Sequence, residues 1–198
     1  MGKIRDAAKI IYAPLFQVGI GNYLKLKKQH VVFARLLIQG KLHIKNQGRI
    51  SIGSNSVIHS GIKSNVLGES AGFEVYPGAN LQIGNGVNMS NIRIRCEKEI
   101  RIDDDVMLGG GVTIIDSNCH SMDFNERMFS KDGKGGGIVS APIHIKRGAF
   151  IGANVLILKG VTIGEEAVIA AGSVIVKDVP DGEIWGGNPA RSIKKEHS

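Results

Sequence analysis

Residues 145–179, IKRGAFIGANVLILKGVTIGEEAVIAAGSVIVKDV, repeat with a period of six. An aliphatic residue returns at Ile145, Ile151, Ile157, Ile163, Ile169 and Ile175. A smaller or β-branched residue stands four places after each, at Ala149, Val155, Val161, Ala167, Ser173 and Val179. A helical period of 3.6 would carry positions six apart progressively around the helix, and simple strand alternation would not impose two size classes at this interval. A hexapeptide period is instead the signature of a parallel β-helix, a solenoid of short strands and corners.

Working outward, three such units, about 18 residues, close one triangular coil whose inward side chains stack on the coils above and below. Gly152 and Gly164, each directly after an inward Ile, suit bends with relaxed steric limits, as does Gly172. The same register recurs less cleanly at Ile52-Gly53 with Ser56 and Ile58, at Ile83-Gly84 with Val87, and at Ile102 with Val106, Leu108, Val112 and Ile114. About five coils are expected.

The 198 residues are of single-domain size, with room for one elongated core. Twenty-seven glycines with only 5% aromatic residues suit tight corners better than a sandwich built on aromatic anchors, and the absence of a three-residue glycine period excludes collagen. A formal charge of +7 favours phosphate-bearing partners without choosing among them. Nucleic acid is disfavoured, because the basic residues are dispersed, aromatics are scarce and no recognition motif is present. The only cysteines, Cys96 and Cys119, lack CxxC spacing, and no secretory leader is evident, so a reducing cytoplasm is the expected location. The stretch 7–24 is interrupted by Lys9, Gln17 and Asn22 and falls short of a membrane span.

The chain divides into an N-terminal capping segment (1–40), the β-helix (41–179) and a C-terminal tail (180–198). Residues 3–16 place Ile4, Ala7, Ala8, Ile11 and Leu15 near one face, which predicts a short amphipathic helix ending around Pro14 and covering the open end of the solenoid. A second reading rests this helix, with Lys25, Lys27 and Lys28, on an anionic membrane surface. The register breaks at 64–78, read as an imperfect coil, and over a polar, glycine-rich stretch at 116–141. A long loop ejected from a rigid solenoid is an expected functional element.

Three features together resemble one family. They are the repeats, such as Ile151-Gly152-Ala153-Asn154-Val155; the segment Ile115-Asp116-Ser117-Asn118-Cys119-His120; and Gly187-Asn188-Pro189-Ala190-Arg191 following Val176-Lys177-Asp178-Val179-Pro180. Over most of 50–195 the chain resembles the hexapeptide-repeat acyltransferases, especially the sugar and polysaccharide O-acetyltransferase branch. The resemblance implies an all-β, left-handed parallel β-helix with a short N-terminal helix and an extended loop. It further implies a homotrimer that binds acetyl-CoA between neighbouring solenoids and a loop histidine acting as general base on a sugar or glycan acceptor. Handedness comes from the resemblance alone, since parallel crossovers are normally right-handed.

The residues accommodate this chemistry. Acyl transfer to a hydroxyl needs a group that takes the proton as oxygen attacks, and a neutral imidazole does so at cellular pH. His120 is the candidate. His43, His59 and His144 fall in strand register and read as outward polar residues; His30 and His197 lie outside the loop. Asp116 and Asp123 flank His120, and either can fix its tautomer, as can a backbone carbonyl. By resemblance, Asn91 and Phe150 lie at the substrate end, Phe150 and Ala153 line the groove on one coil and Ala171 on the next, and Lys177, Asn188, Pro189 and Arg191 lie toward the nucleotide. Asn91 and Asn188-Pro189 also read as corner and turn residues, and the two cations also read as solvated charges. Cys119 beside His120 is a poor nucleophile pair or metal pair if the segment is extended, because adjacent side chains then point apart. No metal is expected. The alternatives are N-acetylation of an amino sugar, O-acetylation of an antibiotic or serine, and, more distantly, a non-catalytic solenoid or a zinc carbonic anhydrase.

Overall fold

The computed structural model describes residues 18–61, 69–129 and 136–195. The helix anticipated at 3–16 lies outside these residues. The chain forms a three-sided prism of parallel strands. Sheet A contains β1 (Val32–Phe33), β4 (Arg49–Ile52), β7 (Asn80–Ile83), β10 (Glu99–Ile102), β13 (Ile143–Ile145) and β16 (Thr162–Ile163). Sheet B contains β2 (Leu36–Gln39), β5 (Ser56–His59), β8 (Asn88–Ser90), β11 (Met107–Leu108), β14 (Phe150–Ile151), β17 (Val168–Ile169), β19 (Glu183–Gly187) and β20 (Ala190–Lys195). Sheet C contains β3 (His43–Asn46), β6 (Gly72–Val75), β9 (Arg93–Cys96), β12 (Thr113–Ile115), β15 (Leu156–Leu158) and β18 (Val174–Ile175).

The chain visits A, B and C in turn, so six full coils form rather than about five. The extra coil is the first, β1 to β3, and it begins inside the segment expected to be a separate cap. Closure of that end falls to α1 (Ile20–Lys28), whose Leu26 is fully buried and whose Asn22 bonds to Gly40 and Leu42. At the opposite end β19 extends sheet B and β20 folds back antiparallel to it, so the tail at 180–195 is a hairpin.

The period of six reports burial directly. Ile102, Ile145 and Ile163 stack in sheet A, Leu108, Ile151 and Ile169 in B, and Ile114, Ile157 and Ile175 in C. All nine are buried, as are the small residues at Ala149, Val155, Val161, Ala167, Ser173 and Val179. Each buried Ile or Leu contributes roughly 1.5–3 kcal/mol of transfer free energy, and three ladders make the solenoid one continuous core. Ser173, the polar member, donates to the Ala170 carbonyl at 2.6 Å and accepts from Gly187 N–H at 3.1 Å.

Gly152 and Gly164 serve another purpose than the bend expected of them. Neither has a positive φ; instead the next coil passes so close that a Cβ on Gly152 would lie 2.6 Å from Ala171 N. Gly172 does occupy the left-handed region, at φ +73°. Within the 64–78 interruption the described residues, 69–78, carry β6, which pairs in register with β3 and β9.

Candidate active site

The excursion at 116–141 leaves the C/A corner between the fourth and fifth coils, after β12 and before β13. Its two limbs are zipped at the root. Ser117 and Ser140 form an antiparallel bridge, Asn118 N–H donates to Val139 O at 3.0 Å, and Ala141 N–H donates to Asp116 O at 2.9 Å. Beyond the root, Ser121 is buried and its hydroxyl donates to Glu126 Oε2 at 2.6 Å; the same oxygen accepts from Gly137 N–H at 2.9 Å. A short helix, α2 (Phe124–Phe129), follows, with Asp123 at its N-terminus accepting from Glu126 N–H at 2.9 Å. This is the N-cap arrangement that satisfies an otherwise orphaned amide.

His120 sits between the zipped root and this buried serine and is exposed. The preceding Cys119 has φ +63°, so the segment turns sharply here and the alternation expected for an extended chain does not apply. The Cys119 thiol is nonetheless not activated. Burial, the leading influence, pushes its pKa up, the Glu97, Asp116 and Glu74 carboxylates add to this, and Arg95 opposes them. A raised pKa keeps the thiol protonated and poorly nucleophilic.

Both flanking carboxylates carry structural hydrogen bonds of their own. Asp116 is fully buried, with Oδ1 accepting from Glu97 N–H at 2.7 Å and Oδ2 from Lys98 and Glu99 N–H at 2.8 and 2.9 Å. Burial pushes this carboxyl above its usual value, opposed by the three amides. Beneath it the Cys96 thiol is pushed up to about 12, first by burial and then by the Asp116 charge. Asp116 thus staples the corner from which the loop departs, and Asp123 caps α2.

A second layer at the root was not anticipated from the sequence. Ser117 Oγ donates to Glu97 Oε2 at 2.6 Å, Arg95 grips Glu97 Oε1 through Nε and Nη2 at 2.9 and 2.7 Å, and its guanidinium lies 4.6 Å from the Tyr76 ring centroid. These groups border an open groove of about 630 Å³ on the outer face of sheet C, lined by His43, Lys45, Glu74, Arg95 and Thr113 among others. The available signal was register alone: Glu74 and Arg95 are outward neighbours across β6 and β9.

The remaining candidates gather at two corners. Ala153 and Ala171 occupy the B/C corner on successive coils, joined by a hydrogen bond from Gly172 N–H to Ala153 O at 2.8 Å. Phe150 projects outward from β14 beside them, 44% exposed, in line with Met107. Asn188 and Pro189 form the turn between β19 and β20, joined by a cis peptide, and Arg191 is exposed just beyond it. Lys177 stands apart from this group, past β18 at the C/A corner that also launches the loop. Asn91 is at the B/C corner but fully buried, with φ +48°. Its Oδ1 accepts from Gly61 N–H at 2.9 Å, and its Nδ2 has no partner among the described residues. Asn91 thus holds Gly61, past the end of β5, rather than facing solvent.

Among the described residues no cluster of His, Cys, Asp or Glu could hold a metal ion. His144 Nε2 is within 2.7 Å of Asp103, and His59 Nδ1 within 2.8 Å of Gln39, as expected of outward strand histidines.

Residues 142–177 match the bacterial transferase hexapeptide family (six repeats). No curated protein matches the chain by sequence alone. Among solved structures it is similar to a hexapeptide-repeat acetyltransferase of Vibrio cholerae O1 biovar eltor complexed with acetyl-CoA, with 23% identity, TM-score 0.60, and coverage of 90% of this chain and 78% of that one. It is likewise similar to a point variant of the N-acyltransferase AntD from Bacillus cereus in complex with dTDP and coenzyme A, with 22% identity, TM-score 0.68, and coverage of 88% and 89%. A galactoside acetyltransferase in complex with coenzyme A aligns at 23% identity and TM-score 0.57, covering 90% of this chain and 72% of that one. Residues 142–177 are therefore bacterial transferase hexapeptide repeats, and the chain as a whole has the left-handed parallel β-helix fold of the hexapeptide-repeat acetyltransferases.

Proposed function

We propose that this chain is an acyltransferase that moves an acetyl group from acetyl-CoA to a hydroxyl of a sugar, in the building of a surface polysaccharide or glycolipid. The observation that carries this reading is the presentation of His120. It is exposed on the long excursion of an otherwise continuous solenoid, and the excursion is fastened at its root by Asp116, Ser117 and Arg95. A positioned histidine on a rigid mount is what general-base catalysis requires. Acetyl-CoA supplies the activated thioester. His120 takes the hydroxyl proton as the sugar oxygen attacks, then returns it to the departing sulfur, while backbone amides stabilise the oxyanion. The cofactor lies along Ala153 and Ala171, with Phe150 bounding the acyl end and Arg191, Asn188 and Pro189 toward the nucleotide; Lys177 contributes from the opposite corner.

That division between corners supports a homotrimer, in which the loop corner of one subunit faces the Ala153–Ala171 corner of the next. Asn91 belongs to the acceptor side of such a junction. Exposed apolar residues point the same way: Phe124, Met128 and Phe129 on α2, and Met107 and Phe150 on sheet B, are 44–76% exposed in a single chain. Two free cysteines, Cys96 and Cys119, suit a reducing cytoplasm. No described helix is long and apolar enough to cross a membrane.

An amine acceptor is the second reading, favoured by the similarity to an N-acyltransferase. Calorimetric titration with acetyl-CoA is expected to give one site per chain, with turnover of a hydroxyl-bearing sugar measured by thiol release. His120→Ala should keep acetyl-CoA binding and lose roughly 10²–10⁴-fold in turnover. Absence of acetyl-CoA binding removes the acyltransferase reading; normal turnover by His120→Ala removes His120 from it; preference for the amino sugar selects the second reading.

A further inference from the structure

The charge of this chain is divided along the sequence. Residues 1–68 contain eleven Lys or Arg and one acidic residue, Asp6, a net of +10; residues 69–198 contain fourteen basic and seventeen acidic residues, a net of −3. The described part of the positive half, 18–61, holds α1, the first coil and the first two strands of the second, β4 and β5. From Val18 to Gly61 there are seven Lys or Arg and no carboxylate side chain. Lys45 reaches Glu74 of the third sheet at 2.7 Å, and Lys25 donates to the Leu42 carbonyl. Lys27, Lys28, Arg35, Lys41 and Arg49 are exposed, and among the described residues none is in an ion pair.

The helix at this end is two-faced. Leu26 is fully buried against the first coil, and Tyr23 packs edge-on against Phe33. Ile20, Leu24, Lys27 and Lys28, at helical spacing, form another stripe, with Ile20 68% and Leu24 61% exposed. Val32, at the first strand, is 70% exposed. A lone exposed leucine means little. A pair one turn apart, followed by two lysines, within the described residues 18–61 that contain no carboxylate side chain, is the pattern of a helix lying in a lipid interface. Nucleic acid would use the lysines and leave Ile20 and Leu24 in water.

We propose that the solenoid docks by this end onto an anionic phospholipid surface, with Ile20 and Leu24 entering the headgroup region and Lys27, Lys28 and the surrounding basic residues meeting the lipid phosphates. The proposal stands apart from the acyltransferase reading, and neither depends on the other.

The test mixes the full chain with phosphatidylcholine vesicles, with and without phosphatidylglycerol, at low and high ionic strength, and separates bound from free protein by sedimentation. The expected result is binding only to the phosphatidylglycerol vesicles and its loss at high salt, where the Debye length shortens. Lys27→Glu/Lys28→Glu is expected to weaken binding by at least about 25-fold, roughly fivefold for each basic residue removed from the surface. Ile20→Ser/Leu24→Ser is expected to weaken it about tenfold while leaving its salt dependence in place. All four side chains are exposed or face outward, and coincident thermal melts of the variants verify that folding is intact. Failure to bind phosphatidylglycerol vesicles, binding independent of phosphatidylglycerol, or binding unchanged in Lys27→Glu/Lys28→Glu overturns the proposal. Equal, salt-sensitive retention on an acidic polymer without vesicle binding assigns the charge to a soluble polyanion and overturns it as well.

Discussion

Replacing Asp116 by Asn separates a structural from an orienting role for this carboxylate. The substitution preserves shape and removes one acceptor and the charge. In the wild type three amide N–H groups, of Glu97, Lys98 and Glu99, converge on the two oxygens at 2.7–2.9 Å. The amide side chain fits best with its oxygen toward Lys98 and Glu99 and its NH₂ toward Glu97, which sets two donors face to face in a fully buried corner. One charge-assisted hydrogen bond is lost, about 1.5–3 kcal/mol, and a buried N–H is left unmet, about 1–3 kcal/mol. Relief of the buried charge returns part of this, since burial raises the Asp116 pKa. The expected net loss is about 3 kcal/mol, which for a chain of this size lowers the melting temperature by roughly 6–12 °C. Thermal denaturation followed by circular dichroism reads the effect directly. A melting temperature within about 2 °C of wild type, together with a large fall in turnover, would refute the staple and restore Asp116 as the partner of His120.

Gly152→Ala should destabilise the fifth coil by about 1–3 kcal/mol, because the new Cβ would stand 2.6 Å from Ala171 N and 2.8 Å from Ile169 O, both backbone atoms with little freedom to retreat; an unchanged urea midpoint would contradict this. Asp103 gives a pH signature. Burial pushes its pKa up, but the hydrogen bonds and charges of Arg101 and His144 outweigh it and hold the carboxyl below its usual 3.8. A folded-state pKa below the unfolded one stabilises above the unfolded value, and this stability is lost as pH falls through the folded value. Asp103→Asn should therefore show a shallower loss of stability below about pH 4 than wild type, and parallel acid limbs would count against the pairing.

The repeated core was legible because each inward Ile announced itself every six residues, and Ile145 through Ile175 are all buried as that interval requires. The first coil carried the same mark in Ile38 and Ile44, continued by Ile50 on β4, but without the Ile-Gly pairs that flag later corners, so the boundary was set inside it. Placement at one corner was also readable where the chain stays in register: Ala153 and Ala171 are one full coil apart. Register arithmetic ends where the chain leaves the prism. The positive φ of Cys119, the capture of Asp116 by three amides and the burial of Asn91 depend on loop closure and on corner stacking, which no spacing of residue types reports.

Stacked coils also make a ruler. Strands in a sheet are about 4.8 Å apart, so the root of the His120 excursion, on the fourth coil, stands about 15 Å along the axis from the first coil. A solenoid seated on its basic end would hold that histidine at a fixed stand-off from the surface. An acceptor carried by a lipid would then be selected by the length of its projecting chain as well as by its chemistry, and adding or deleting one whole coil below the loop would change the preferred length by one step of the ruler.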